Sequence, residues 1–233
     1  MERIGKVLLK KSSKAKYLGI RIKPIDGVVV TVPKRASFKE AEEFVRSKEP
    51  WVLKHLSRIE EIESNKIVFD ESTKFNTKEH KLQIVKSNVD KIQITIDKNV
   101  TKIKYPKNND VHSEEIQKAI KFGIDETLRI EAKKYIPKRV EELAYLLNFK
   151  YKRVFLKNLK SRWGSCSGQN NINLNIHLMQ LPNKLIDYVI LHELVHTVHK
   201  NHSKKFWEAL EKVLPKSKQL NNDLKKYSPK NYK

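Results

Sequence analysis

The chain has 233 residues, 39% of them hydrophobic and 33% charged, with one cysteine. This composition excludes a disordered chain and an internal disulfide framework, and the length fits one large domain or two small ones. No apolar run is long enough to span a bilayer, and the first residues lack an apolar segment of signal-peptide length, so we expect a cytoplasmic protein. The formal net charge is +22, but 40 of the 49 basic residues are lysines spread along the chain, which predicts only weak, salt-sensitive binding to nucleic acid.

The amino-terminal region is predicted to combine short strands with two helices. The strands are expected at residues 7–9, 17–23 and 28–32. A turn at residues 24–27 joins the last two and indicates a β-hairpin or meander. Ser37 and Glu40 have the spacing of a capping box that opens the first helix, and Pro50 fits the first turn of the second. Trp51 is expected to pack in the core.

The middle of the chain changes its hydrophobic period from helical spacing to two. Residues 67–105 alternate in the way that several short antiparallel strands do, with polar turns between them. The Pro-Lys-Asn-Asn-Asp stretch at 106–110 is the best candidate for a domain boundary. We therefore predict a β-rich domain with two helices over residues 1–106 and a second domain over residues 107–233.

A long helix is predicted after Ser113, which can cap it. Apolar residues follow at helical spacing, at Ile116, Ile120, Ile124, Leu128 and Ala132. Pro137 is expected to end or kink this helix, because proline lacks the backbone N–H that a helix interior uses. A further helical piece and a strand at residues 151–156 are predicted to follow.

Residues 160–175 form the second informative segment of the chain. Two glycines and three serines predict a tight loop, and the alternation of Ile172, Leu174 and Ile176 predicts a strand after it. We hypothesise that this strand, or the loop before it, borders a substrate cleft, because an edge strand leaves backbone donors and acceptors unpaired. Cys166 could bind metal or act as a nucleophile, but a small buried residue is the simpler interpretation. His177 is expected to be a packing or surface residue.

An H-E-x-x-H motif follows, formed by His192, Glu193 and His196. It continues an apolar segment at residues 185–191 that predicts a buried helix. Positions four apart lie on one face of a helix, so the two imidazoles can hold one metal ion. Glu193, beside the first ligand, can reach a water at that metal and act as a general base. Two histidines and a glutamate would otherwise be costly to bury unpaired on such a helix.

Catalytic zinc usually has three protein ligands, and the sequence offers two candidates for the third. His199 continues the helical face, whereas His202 has the ten-residue spacing from His192 that extended motifs of this kind show. We favour His202. The extended motif has glycine where this chain has His199, so we expect Asn201, which tolerates the left-handed conformation, to help the chain turn. Zinc is the expected ion, although histidine sites also take other divalent metals.

Several blocks of the sequence resemble the YgjP-like metallopeptidase family, which belongs with the wider SprT-like zincins. The blocks are Arg162-Trp163-Gly164-Ser165-Cys166-Ser167, Asn173-Leu174-Asn175, Asp187-Tyr188-Val189, His192-Glu193-Leu194-Val195-His196, Asn201-His202-Ser203 and Phe206-Trp207. The resemblance implies a soluble, intracellular, zinc-dependent hydrolase that is generally named a peptidase. Carried over by position, it implies that His192, His196 and His202 are the metal ligands and that Glu193 is the catalytic base.

The expected fold is α+β, with an amino-terminal β-rich region and a carboxyl-terminal zincin-like helical domain that carries the H-E-x-x-H helix. The expected activity is metal-assisted hydrolysis of a peptide or protein substrate. One alternative is hydrolysis of a non-peptide bond such as a nucleotide phosphoanhydride, although no glycine-rich phosphate loop is present. The other is a basic nucleic-acid-binding module with a structural metal. Substrate identity and oligomeric state stay open.

Overall fold

The structure is a computed structural model that describes residues 4–23, 27–64 and 67–229. The chain divides into two compact units, Met1–Lys66 and Ile67–Lys233. The predicted boundary between residues 106 and 107 falls inside the second unit. The physical reason is a shared core, because Ile103 and Tyr105 are buried together with Ile120 and Ile124 of the long helix that follows them.

The first unit contains a three-stranded sheet and two helices. Strands β1 (Val7–Ser12), β2 (Gly19–Lys23) and β3 (Gly27–Pro33) lie in the order β1-β3-β2. The predicted hairpin of β2 and β3 is confirmed, while residues 24–26 of its turn lie outside the described residues. The expectation of a simple meander is wrong, because β1 pairs with β3 in parallel.

Helices α1 (Phe38–Ser47) and α2 (Glu49–Ser64) follow this sheet. The predicted capping box is present, since Ser37 Oγ accepts from Glu40 N and the Glu40 carboxylate accepts from Ser37 N. Val30 of β3 and Val45 of α1 belong to the core of this unit. Trp51 was expected in a core, but its side chain is 44% exposed and its ring lies 4.1 Å from the His55 ring.

The second unit begins with another three-stranded sheet and the long helix. Strands β4 (Lys81–Ser87), β5 (Gln93–Asp97) and β6 (Val100–Pro106) lie in the order β4-β6-β5, and β4 is parallel to β6. Helix α3 spans Glu114–Leu146 without interruption. Pro137 was expected to end or kink this helix. It does not end the helix, and the kink stays a prediction. Ile136 and Val140, on either side of the proline, are fully buried, and this packing offsets the lost hydrogen bond.

A third sheet contains the glycine- and serine-rich segment around Gly164. Strands β7 (Arg153–Lys157), β8 (Gly164–Cys166) and β9 (Asn171–Asn175) lie in the order β7-β9-β8, with a 3₁₀ helix (Ile176–Gln180) after β9. Strand β9 is therefore central, and β8 is an edge strand that pairs antiparallel with it. The unit is completed by α4 (Asn183–Val195), α5 (Lys204–Val213) and α6 (Ser217–Leu224).

The fold class agrees with the α+β prediction. Within the described ranges, every helix is too short or too polar to cross a bilayer.

Candidate metal centre

Helix α4 carries the H-E-x-x-H motif through the core of the second unit. Most of its side chains are buried. A helix that is apolar on nearly all sides is stable in such a position, because the core covers it. His192 lies in its last turn, and His196 is the residue that caps its carboxyl end. The backbone then turns, with Thr197 and His199 still bonded to the carbonyls of Leu194 and Val195, before Ser203 leads into α5.

The three predicted histidines converge at the end of α4. Nε2 of His202 lies 2.9 Å from Nε2 of His192 and 3.2 Å from Nε2 of His196. Candidate ligand atoms of the three rings all lie within 4.8 Å of one another. Two imidazole nitrogens on a tetrahedral zinc ion are about 3.3–3.4 Å apart, because each Zn–N bond is about 2.0–2.1 Å. The donor set and its spacing therefore fit a divalent metal of the zinc type.

Burial favours the neutral form of His192 and His196, which is the form that binds a metal. Burial, together with neighbouring His196 and His202, lowers the pKa of His192 to about 3. Burial also lowers the pKa of His196, whose Nδ1 donates to the carbonyl oxygen of His199 at 2.9 Å. That hydrogen bond places the proton on Nδ1 and leaves the Nε2 lone pair of His196 free.

His202 and His199, the two candidates for the third metal ligand, lie in different places. The His202 ring is in the cluster, whereas His199 contributes its backbone carbonyl to His196 and its ring lies outside the group. The left-handed conformation expected of Asn201 is wrong. Residues with positive φ, glycine aside, are limited in the described chain to Lys98, Asn148, Asn170 and Lys216, and the Asn201 side chain accepts from Ser203 N instead.

Phe206 is the packing partner that the three imidazoles share. Its ring, on the first turn of α5, is fully buried. The ring centroid lies 4.9 Å from that of His192, 4.5 Å from that of His196 and 4.7 Å from that of His202. Trp207 lies farther out, 5.9 Å from His202. Helix α5 therefore holds His202, which is exposed, against the two ligands of α4.

Glu193 points away from solvent beside the cluster. The residue is 5% exposed, and its Oε2 atom is buried without a hydrogen-bond partner among the described residues. Burial raises the pKa of Glu193 to about 8, and the charge of Arg162 opposes this shift. A carboxyl group in this state is poised to exchange a proton near neutral pH. A perturbed carboxyl next to three convergent imidazoles is the arrangement of a hydrolytic site.

Gly164 of β8 forms the wall against which Glu193 packs. A Cβ atom at position 164 would lie 2.7 Å from Glu193 Oε1 and 2.8 Å from Glu193 Cγ, closer than real Cβ contacts come. Local sequence patterns predict only a loop at Gly164. Its W-G-S context could have suggested a close approach, but nothing local identifies Glu193 as the partner, since 29 positions separate them.

Asn175 holds the loop that leads into β8. Its fully buried amide donates from Nδ2 to the carbonyls of Leu159 and Arg162, both at 2.9 Å. Its backbone N–H donates to the carbonyl of Trp163. Asn175 thereby fixes the approach of β8 to α4. Local sequence patterns do not predict that Asn175 holds this loop.

The remaining candidates lie outside the cluster. Cys166 is partly buried, burial raises the pKa of its thiol, and it is not a member of the ligand group. His177 is fully buried, with Nε2 3.2 Å from Asn158 Oδ1 and Nδ1 accepting from Gln180 Nε2 at 2.7 Å. His177 is therefore a packed, hydrogen-bonded core histidine, in agreement with the prediction of a packing role.

Comparison with protein families identifies the family of this chain. The sequence matches the YgjP-like metallopeptidase domain over residues 16–227. A search of curated proteins gives no significant match. Among solved structures, the metallopeptidase zymogens abylysin of Pyrococcus abyssi and jannalysin of Methanocaldococcus jannaschii are 24% and 26% identical to this chain, each over 39% of it. The matched parts make up 93% and 94% of those two chains. Both TM-scores are 0.35, which is too low to indicate a shared fold. The family match spans nearly the whole sequence, and the chain belongs to the YgjP-like metallopeptidase family.

Proposed function

We propose that this protein is a zinc-dependent metallopeptidase in which His192, His196 and His202 hold the metal through Nε2 and Glu193 is the general base. The observation that carries the proposal is the convergence of three Nε2 atoms beside a buried carboxyl group. Membership of a metallopeptidase family supports the reaction class.

Zinc, when bound by three imidazoles, polarises a substrate carbonyl and lowers the pKa of water to about 7. Glu193 supplies the base. A cation nearby favours the ionised form of its carboxyl group, because opposite charges lower a carboxyl pKa. Oε2 lacks a partner among the described residues, so it is free to accept the proton of the attacking water. Glu193 then passes this proton to the departing amine.

Strand β8 supports an extended peptide as the substrate. Its ladder with β9 places hydrogen-bonded pairs at Trp163 with Asn175 and at Ser167 with Asn171. Because such pairs alternate in an antiparallel ladder, the backbone N–H and C=O groups of Gly164 and Cys166 are directed away from β9, at the edge of the sheet. A peptide can pair with an edge of this kind, and a nucleotide cannot. This edge favours peptide hydrolysis over phosphoanhydride hydrolysis as the reaction.

The sequence suggested that the strand carrying Ile172 and Leu174, or the loop before it, borders the cleft. Of these two, only the segment before the strand, which contains β8, lies at an edge of the sheet. Strand β9 has neighbours on both sides, so it cannot accept a peptide, whereas β8 has one free side and contacts α4 through Gly164 and Glu193. We assign the substrate-pairing edge to β8.

The direct test compares Glu193→Gln with wild type. Both proteins are loaded with zinc, assayed for bound metal by elemental analysis and incubated with a mixed-sequence peptide library read by mass spectrometry. The variant is expected to bind zinc normally and to lose cleavage by a factor of about 10²–10⁴, the usual worth of a general base. Glu208→Gln, on the exposed side of α5, is the control that retains activity. An active Glu193→Gln protein would refute the mechanism.

A further inference from the structure

A pocket of about 210 Å³ lies directly beside the proposed base. Its walls come from three elements that are distant in the sequence. Trp163 directly precedes β8, Tyr188 and Val189 lie on α4 with Glu193, and Asn221 and Leu224 lie on α6. Because Glu193 is part of the wall, any group in this pocket lies next to the atoms that react.

Hydrogen bonds to Glu211 of α5 hold the start of helix α6 in place. The Glu211 carboxylate, on α5, accepts from the backbone N–H of Lys216 at 2.7 Å and of Ser217 at 3.0 Å, and from Ser217 Oγ at 2.6 Å. Leu224 packs against the main hydrophobic core of the unit. The α6 wall is therefore a fixed part of the site, and Asn221 and Leu224 face the pocket from defined positions.

The size of the pocket fits one substrate side chain. At about 30 Å³ for each water molecule, its volume corresponds to roughly seven waters. Pockets for drug-sized ligands start at about 300 Å³, so this pocket suits a smaller group. One large amino-acid side chain is of that size.

The lining of the pocket selects against charged side chains. Trp163, Val189, Leu224 and the ring of Tyr188 offer apolar surface. The polar groups of the wall are the Asn221 amide and, on the side of the metal cluster, His192 and Glu193. The wall contains no lysine or arginine, and the ionised Glu193 carboxylate would repel a substrate carboxylate placed beside it. A substrate cation would pair with Glu193, the group that the reaction needs free. An uncharged side chain meets neither obstacle.

We propose that this pocket receives a large uncharged side chain, of the leucine, methionine, phenylalanine or tyrosine class, from the residue next to the cleaved bond. Leu224 and Asn221 of α6 set this preference. The inference rests on the proposed peptidase function and adds its substrate class.

The test uses a peptide library with all residue types at each position, with cleavage sites read by mass spectrometry. Zinc-loaded wild type is compared with Leu224→Ala, which widens the pocket, and with Asn221→Asp, which places a carboxylate in it. Leu220→Ala is the matched control, since Leu220 lies on the same helix, is also partly buried and does not line this pocket.

Wild type is expected to cleave next to large uncharged residues. Leu224→Ala is expected to shift the preference between leucine and the bulkier aromatic residues by about tenfold, as changes of a few methylenes in an apolar pocket do. Asn221→Asp is expected to gain cleavage next to lysine and arginine. Leu220→Ala keeps the wild-type profile. Cleavage with the same profile in all four proteins would overturn the inference and leave the peptidase function standing.

A second readout needs no turnover. The Glu193→Gln protein is titrated with the N-acetyl N-methylamides of leucine, phenylalanine, lysine and glutamate, and binding is followed by ligand-observed NMR. The leucine and phenylalanine amides are expected to bind more tightly than the charged ones, and Leu224→Ala in the same background is expected to change their ratio. Equal binding of all four would overturn the inference. This order of binding without any library cleavage would support the pocket and refute the peptidase function.

Discussion

The backbone of Gly164 lies directly against the carboxyl group of Glu193, so a Cβ atom at position 164 would stand 2.7 Å from Glu193 Oε1. Gly164→Ala is therefore expected to displace the proposed base. A shift of about 1 Å at a reacting group can lower turnover by about 10²-fold. The variant should keep its metal, because the three histidines do not contact position 164 in this way. Peptide cleavage and zinc content measured together would check this.

The matched control for that variant is Gly168→Ala. Gly168 belongs to the turn of the same β8–β9 hairpin, and a Cβ atom there would meet nothing within 4 Å. It should behave as wild type in both assays. Full activity of Gly164→Ala would show that Glu193 is not held by this contact.

Asn175→Ala should loosen the loop before β8. The substitution removes the donor to the carbonyls of Leu159 and Arg162, and each lost hydrogen bond costs about 0.5–1.5 kcal/mol. We expect a lower free energy of unfolding in urea and slower peptide cleavage with zinc still bound. Asn222→Ala, at an exposed position of α6, serves as the control. Unchanged turnover in Asn175→Ala would mean that the loop does not position the site.

Phe206→Ala should weaken both the fold and the metal site. Phe206 is fully buried and packs on all three imidazoles, so its removal leaves a cavity that costs about 3–5 kcal/mol. Zinc affinity is expected to fall by about tenfold or more, as it does when support around metal ligands is lost. Competition with a chromogenic chelator measures this affinity. Phe122→Ala, on an exposed face of α3, should leave both quantities unchanged.

Cys166 should be dispensable and slow to react. Burial raises the pKa of its thiol above the ordinary value, so the folded protein holds less thiolate than the unfolded chain as pH rises through about 9. Alkylation by iodoacetamide at pH 8 should therefore be slower in the native protein than in urea. Cys166→Ala is expected to keep zinc and activity, because the thiol is not in the ligand group. Loss of metal from this variant would identify Cys166 as a ligand.

Local patterns in the sequence predicted the parts of the site that one helix and one turn create. The spacing of His192 and His196 follows from helical geometry, and ten-residue spacing favoured His202 over His199; the structure brings these three rings together. Their binding of metal stays a prediction. The capping box at Ser37 and the hairpin of β2 and β3 are equally local, and both are present.

The features that the sequence did not predict depend on contacts between distant segments. The approach of Gly164 to Glu193 needs β8 and α4 to pack together, and no periodicity shows that. Helix α3 continues through Pro137 because burial on both sides outweighs the local preference to break. The compact units divide near residue 66 because the sheet of β4 to β6 shares a core with α3, whereas composition pointed to the proline and asparagines after residue 105.

The most direct test of the central claim is metal content by elemental analysis of purified wild type, His202→Ala and His199→Ala. The account predicts one zinc per chain in wild type and in His199→Ala, and a large loss in His202→Ala, whose ring nitrogen lies 2.9 Å from that of His192. Circular dichroism of each protein would confirm that it is folded. A folded wild type that binds no metal even when zinc is offered would contradict the metallopeptidase assignment.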